Sequence, residues 1–305
     1  MNKTNRRSRA GGWPHYRIEA AWAYLFIAPA FICLAIFHLF PAAASLVLSF
    51  TKWNGLTAPV FNGLLNYAAL LKDKEFIQSI LHTATFSIVT VPVSVVLATA
   101  LSVLLNRKMK GVSLYRVIYF LPVVTMSTAV GMIWKWLYNA EFGPINYILG
   151  WLHLPQPNWI SDTAYTMLSI MIVSVWSTVG YNMVILLAGL QGISGSYYEA
   201  ARMDGASARY LFFRITLPLL SPSLFFVLMI SVIHALQVFD LVFVMTGGNA
   251  ALLEATRTVV YNMYDQGFVL FRMGYASAQA VVLFVLIFAM TLVQMALQRK
   301  WVHYQ

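Results

Sequence analysis

Two groups of residues in this chain have the types and spacing to do chemistry, and in both the chemistry is non-covalent. The first is a polar run between two apolar blocks, SGSYYEAARMDGASARYLFFRITLPLLSP, residues 194–222. Ser196 followed three residues later by Glu199 has the spacing of a capping box and predicts a helix start. Glu199 then falls in the first turn, where a negative charge suits the helix dipole. Asp204-Gly205 predicts a break, and a second short helix is expected over 207–213. Ala200, Ala201, Gly205 and Ala206 carry so little bulk that another protein could approach this backbone closely. Two readings stand: a docking element for a partner, or an amphipathic segment resting on lipid headgroups.

The second group is His234, Gln237 and Asp240, which recur every three residues. At about 100° per residue they spread over one arc of a helix that is otherwise apolar. Such a stripe either lines an aqueous path for a polar solute or hydrogen-bonds a neighbouring helix. Tyr181, Asn182 and Gln279 are candidates for the same path.

Covalent chemistry finds no support. No lysine follows a glycine, so there is no G-x-x-x-x-G-K-[ST] phosphate loop and no ATP hydrolysis is expected of this chain alone. There is no G-x-S-x-G elbow and no H-E-x-x-H pair. The histidines at 15, 38, 82, 153, 234 and 303 lack metal-ligand spacing, and Cys33 is the one cysteine, so no metal site or intrachain disulfide is expected.

The elements that must position these residues are membrane helices. Of 305 residues 60% are hydrophobic and only 10% charged, against about 25% charged in a typical soluble domain. Runs of roughly 20 apolar residues can span a bilayer. They occur at 20–50, 79–105, 112–138, 163–190, 217–245 and 273–297. The chain therefore reads as an all-α polytopic membrane protein, one membrane domain over 1–305 with a tail at 1–19. Pro29, Pro41, Pro92, Pro122, Pro218 and Pro222 predict kinks within or at the starts of these spans. With the N-terminus in the cytoplasm, 14 of the 20 lysines and arginines fall on the cytoplasmic side, the C-terminus included. The net charge of +10 reflects this bias rather than nucleic-acid binding. Trp53, Trp134, Trp136, Trp151 and Trp159 fall at outer ends, and Trp13, Trp22 and Trp301 at inner ends, as interfacial belts require. The outer loops, 51–78, 139–162 and 247–272, are modest.

Glu199-Ala200-Ala201, then Asp204-Gly205-Ala206, then Ile215, Leu217 and Pro218, between two spans, resemble the EAA loop of permease subunits of ATP-binding-cassette importers. Phe61-Asn62-Gly63-Leu64, Asn66-Tyr67 and Phe76 resemble the outer loop of the carbohydrate-uptake type. So do Gly180-Tyr181-Asn182-Met183, Ala188-Gly189-Leu190-Gln191, Leu236-Gln237-Val238-Phe239-Asp240, Met245-Thr246-Gly247-Gly248 and the run Met273 to Ala278 in their places. His82-Thr83 departs from the usual Asn-Thr, and Asn249-Ala250 replaces a further glycine and a proline. The resemblance implies the type I importer fold, a five-helix core over 79–297 and a cytoplasmic coupling loop over 191–217. It implies that Glu199, Ala200, Ala201, Asp204, Gly205 and Ala206 couple to an ATPase. The implied partners are a second homologous permease, two ATPase subunits that bind ATP and Mg, and an extracytoplasmic solute-binding protein. The implied place is the bacterial inner membrane. The implied solute is a sugar or related polyol, phosphorylated ones such as glycerol 3-phosphate included.

An ion-coupled carrier is the main rival, and such carriers bury acids in the bilayer. Asp240 is the only acid well inside a predicted span. A membrane scaffold or sensor without transport is the third reading.

Overall fold

The computed structural model describes residues 15–107 and 110–302. Most of the predicted tail, with Trp13, lies outside the described residues, as do Lys108, His303 and the side chains of Lys300 and Trp301. An unpaired backbone group in hydrocarbon costs several kcal/mol, so a spanning chain must close its hydrogen bonds within helices. Among the described residues four helices are long and apolar enough to cross a membrane. Six spans result if each of two bent pairs counts as one.

The first span is α1 (His15–Leu34) and α2 (Phe40–Leu48), joined by a π-helical turn, Ala35–Leu39. Pro41 explains that turn. It has no N–H for the carbonyl four residues back, and its ring pushes that carbonyl aside. The Phe40 N–H therefore reaches back to Ala35. Among its described residues α1 has no buried side chain, whereas α2 packs on the last helix. A short hairpin follows, β1 (Thr51–Lys52) antiparallel to β2 (Val60–Phe61), then α3 (Leu65–Leu70). Asn66 donates to the carbonyls of Ser49 and Thr51 at 2.8 and 2.9 Å, which fastens this loop to the end of α2.

α4 (Lys74–Leu105) and α8 (Thr163–Gly192) are the long central pair. Asp73 caps the first by accepting from the Glu75 and Phe76 N–H groups, and Asp162 caps the second through Ala164 N–H. Their contact carries Phe86, Val95 and Ala98 from α4 against Ile170, Val173, Met183 and Leu186 from α8. Buried hydroxyls at Thr90, Thr99 and Ser102 donate to carbonyls three or four residues earlier, so none is left bare.

The predicted span 112–138 is broken. α5 (Val112–Val124) and α6 (Ser127–Leu137) meet at 103°. Pro122 withholds an N–H from the ladder, and Thr125 adopts extended geometry (φ −88°, ψ 139°) that ends the helix. α7 (Pro144–Trp151) lies in the loop that leads into α8, at the end where α4 and α8 begin, the far end, and Asn146 accepts there from Trp159 at 2.8 Å. At the opposite end lies the loop, with α9 (Gly195–Met203) and α10 (Ala208–Leu211). α10 does not stop at 213 as expected. It runs through a π-helical turn, Phe212–Thr216, and α11 (Leu217–Leu219), and bends 65° into α12 (Ser221–Leu236). The predicted span 217–245 is also interrupted: Gln237 to Phe239 leave the helix, and α13 (Asp240–Thr246) restarts it. By contrast Pro29 and Pro92 sit inside continuous helices.

The predicted outer loop 247–272 is a helical hairpin that enters the bundle. α14 (Ala250–Thr256) descends, α15 (Val259–Tyr264) and a π-helical turn, Asp265–Val269, return, and α16 (Met273–Trp301) forms the last span. The turn between α14 and α15 is held to α4: Val259 N–H donates to Thr83 at 3.0 Å, and His82 Nδ1 meets the Arg257 carbonyl at 3.2 Å. Arg257 also pairs with Glu75. The other end of the hairpin sits level with Asp73, which accepts from the Tyr275 hydroxyl. From Asp73 to Thr83 is about 15 Å along a helix, which is the depth to which the hairpin dips.

α8 and α5 approach closely at Gly180 on α8. A Cβ there would lie 1.9 Å from the carbonyl oxygen of Tyr119 on α5, and backbone cannot swing aside. Gly180→Ala should therefore cost about 1–3 kcal/mol through overpacking. It should lower the temperature at which detergent-solubilised protein leaves the monodisperse size-exclusion peak. Gly192→Ala, with nothing within 4 Å of the added atom, should not.

Candidate functional site

The interruptions described above border one cavity of about 590 Å³. The α5–α6 break contributes Pro122, Thr125 and Ser127, and the α12–α13 break contributes Gln237, Val238 and Phe239. Tyr181, Asn182, His234, Gln237 and Asp240, singled out in the sequence, all line it. The structure brings together α8 and the α12–α13 junction, some fifty residues apart in the chain. Gln279 does not line this cavity. It is fully buried on α16.

His234, Gln237 and Asp240 do not share one helix face as expected. His234 lies in the last turn of α12, Gln237 is its C-cap with φ −104°, and Asp240 is the first residue of α13. They converge because the helix breaks between them. Asn182 is 2% exposed and exchanges hydrogen bonds with Ser231 of α12, at 3.2 Å from its amide nitrogen and 3.5 Å to its oxygen. This pair fixes the α8 wall against the α12 wall.

Several lining residues were missed in the sequence: Thr90 and Ser94 on α4, and Ser174, Ser177 and Thr178 on α8. A signal was present. Ser174, Ser177, Thr178, Tyr181 and Asn182 recur at helical spacing, a polar stripe on an apolar span. Thr90, Ser94, Ser177 and Thr178 donate to their own helix carbonyls at 2.7–3.0 Å. Each hydroxyl proton is thereby used, and its lone pairs remain for a donor in the cavity. His234 and Asp240 are the ionisable side chains on the wall, with no lysine or arginine among the lining residues. A larger cavity of about 900 Å³ opens beside the α5–α6 break, but its walls are aliphatic and aromatic and offer a polar solute little. Among the described residues no three His, Cys, Asp or Glu side chains gather to hold a metal ion.

At the other end, the loop differs from its predicted capping. The N-cap of α9 is Ser194, whose hydroxyl accepts from Ser196 N–H at 3.4 Å, and not Ser196. Glu199 is therefore two residues further in, past the first turn, which holds no acid. The reason is upstream: Ile193 is 8% exposed and locked in the core, so the chain turns at once and the next polar residue takes the cap. α9 ends in a Schellman arrangement. Ala206 N–H bonds to the Ala201 carbonyl at 2.9 Å and Gly205 N–H to that of Arg202 at 3.0 Å, with Gly205 at φ +75°. Ser207 then caps α10 through Tyr210 N–H.

Glu199, Ala200, Asp204 and Gly205 are exposed, and Ala201 and Ala206 are half-buried. Met203 is 89% exposed between them, a bare apolar side chain on the outer face of α9. The inner face is tied down by Tyr198, which packs on the core and whose hydroxyl meets Thr216 at 3.2 Å. Neither Met203 nor the Tyr198–Thr216 link was picked out in the sequence. Tyr198 and Ala201, three residues apart on one face, were its only trace.

The chain can now be set beside known proteins. The family described as binding-protein-dependent transport system inner membrane component matches residues 67–303. The chain is 35% identical over 287 residues to the sn-glycerol-3-phosphate transport system permease protein UgpA of Agrobacterium fabrum, covering 92% of this chain and 96% of the relative. It is 33% identical over 283 residues to the trehalose/maltose transport system permease protein MalF of Thermococcus litoralis, covering 92% and 95%. Among solved structures, a bacterial alginate ABC transporter in complex with an alginate pentasaccharide-bound periplasmic protein superposes with a TM-score of 0.83. That likeness covers 93% of this chain and 96% of the other at 20% identity, and it concerns the fold.

The Asn182–Ser231 pair gives a direct test of how the cavity walls are joined. A double-mutant cycle on Asn182→Ala and Ser231→Ala should return a coupling energy of about 0.6 kcal/mol, up to about 1.7. Thermal stability of the solubilised protein is the measurement.

Proposed function

The chain belongs to the binding-protein-dependent transport system inner membrane component family, and we propose that it forms half of a sugar or polyol pathway driven from its loop by a separate ATPase. It is a multi-pass permease of an ATP-binding-cassette importer. One continuous piece of chain supports the proposed mechanism. From Ala208 it runs through α10, α11 and α12 to His234, so it begins at the loop and ends in the cavity wall. Its one sharp bend is the 65° turn near Leu220, between Pro218 and Pro222. A push on α9 passes through Tyr198 to Thr216, at the foot of this piece. Moving the foot moves His234 and the neighbouring break.

In this reading two ATPase subunits bind ATP and Mg, and their closure grips the outer face of α9, from Glu199 to Ala206. The open space beyond Gly205, with nothing within 4 Å of an added Cβ, is where the ATPase backbone comes close. A second permease closes the open side of the cavity. A solute-binding protein delivers the solute at the far end, which faces away from the cytoplasm of a bacterial inner membrane. The wall chemistry suits a hydroxyl-rich solute: amides from Asn182 and Gln237, back-bonded hydroxyls on α4 and α8, and aromatic rings at Tyr181 and Phe239.

Gly205→Trp is the decisive variant. Nothing lies within 4 Å of an added Cβ and the position is exposed, so the protein should still insert and pack apart from local strain at φ +75°. The purified complex should either lose its ATPase subunits or hydrolyse ATP without taking up solute. Normal ATP-driven uptake in proteoliposomes would refute the coupling role. Uptake driven by an imposed proton gradient without ATP would point to the ion-coupled rival.

A further inference from the structure

The cavity has an aromatic extension toward the far end, which rests on the core through Tyr261. Phe239 lines the cavity itself. Its ring lies 5.2 Å from that of Tyr264 and 5.3 Å from that of Phe243. Tyr264 in turn stacks on Phe268 at 5.6 Å. Phe268 is 64% exposed and Phe243 40%. The descending and returning arms of the hairpin set the depth of these rings. Thr258 at its bottom donates to the Val238 carbonyl beside Phe239. Gly267, beside Phe268, lies against Ala276 at the start of α16. The series Phe239, Tyr264, Phe268 therefore climbs from the cavity to the far end of the bundle.

We propose that these rings are a stacking track along which a ring-shaped, uncharged sugar passes into the cavity. This rests on the importer reading and narrows its solute. A pyranose presents one face of C–H groups, which an aromatic ring covers favourably, and a rim of hydroxyls, which the cavity's amides and lone pairs accept. An acyclic phosphorylated polyol has no such face. It would also bring a double negative charge to a wall holding the Asp240 carboxylate and no lysine or arginine. The occupant follows from continuity: the track opens into the hydroxyl-rich cavity through a ring, Phe239, that belongs to both.

The test uses the complete importer in proteoliposomes, given ATP and a mixture of maltose, trehalose, glucose and glycerol 3-phosphate, with luminal contents identified by mass spectrometry. A ring sugar should accumulate. Tyr264→Leu and Phe268→Leu, which keep apolar bulk and remove the ring, should each raise its KM roughly threefold to tenfold. Phe268→Trp should restore it, and the second permease should co-purify throughout. Accumulation of glycerol 3-phosphate alone would overturn the track and leave the importer reading intact. Accumulation of none of the four would overturn the carbohydrate reading with it. Unchanged KM in both leucine variants, or loss of the second permease from them, would make the rings mere packing and also overturn the proposal.

Discussion

Hydrocarbon cannot hydrogen-bond a peptide group, and the arrangement of this protein follows from that constraint. A helix in such a solvent breaks only where something else receives its freed N–H and C=O groups. Here the two full breaks, at Thr125–Met126 and at Gln237–Phe239, both border the polar cavity. The hairpin turn at 257–259 also leaves the helix at depth, and its groups go to Thr83, His82 and Val238. Both breaks thus fall where polar side chains line a cavity.

In the proposed mechanism the same constraint would let the bundle act as a transmitter. Helices whose hydrogen bonds are internally closed move as rods, and motion concentrates where the ladder is already altered. The bend near Leu220 and the π-helical turn before Pro218 are such places, and they lie between the loop and the cavity. Tyr198 and Thr216 join α9 to that rod by side chains instead of by helix. Tyr198 on the inner face of α9 fastens the element, while Glu199, Ala200 and Met203 stay exposed on its outer face.

Much of this was legible in the sequence, for physical reasons. Long apolar runs are unambiguous in a bilayer protein, and α4, α8 and α16 fall within a few residues of expectation. The polar loop stood out because it interrupts such runs, and His234, Gln237 and Asp240 because polar groups there are rare. What could not be read was which proline breaks a helix. Pro92 and Pro122 look alike locally, yet one sits in a continuous helix and the other ends one, since the outcome depends on what receives the freed groups. The hairpin 250–269 looked like surface loop because Glu254, Arg257 and Asp265 break its apolar pattern. Its anchors, Glu75 and Thr83, are about 180 residues away. The cap of α9 was misplaced because the burial of Ile193, and not the local motif, sets where the helix begins.

The bare first helix has a consequence for how this protein comes apart. Among its described residues α1 has no buried side chain, so melting it would uncover little of the interior formed by the helices that follow. It inserts and holds its shape by its own hydrogen bonds, an independent stage in assembly. The π-helical turn beside Pro41 thus divides the first span into a first piece, α1, held by its own hydrogen bonds and a second piece, α2, that packs on the last helix.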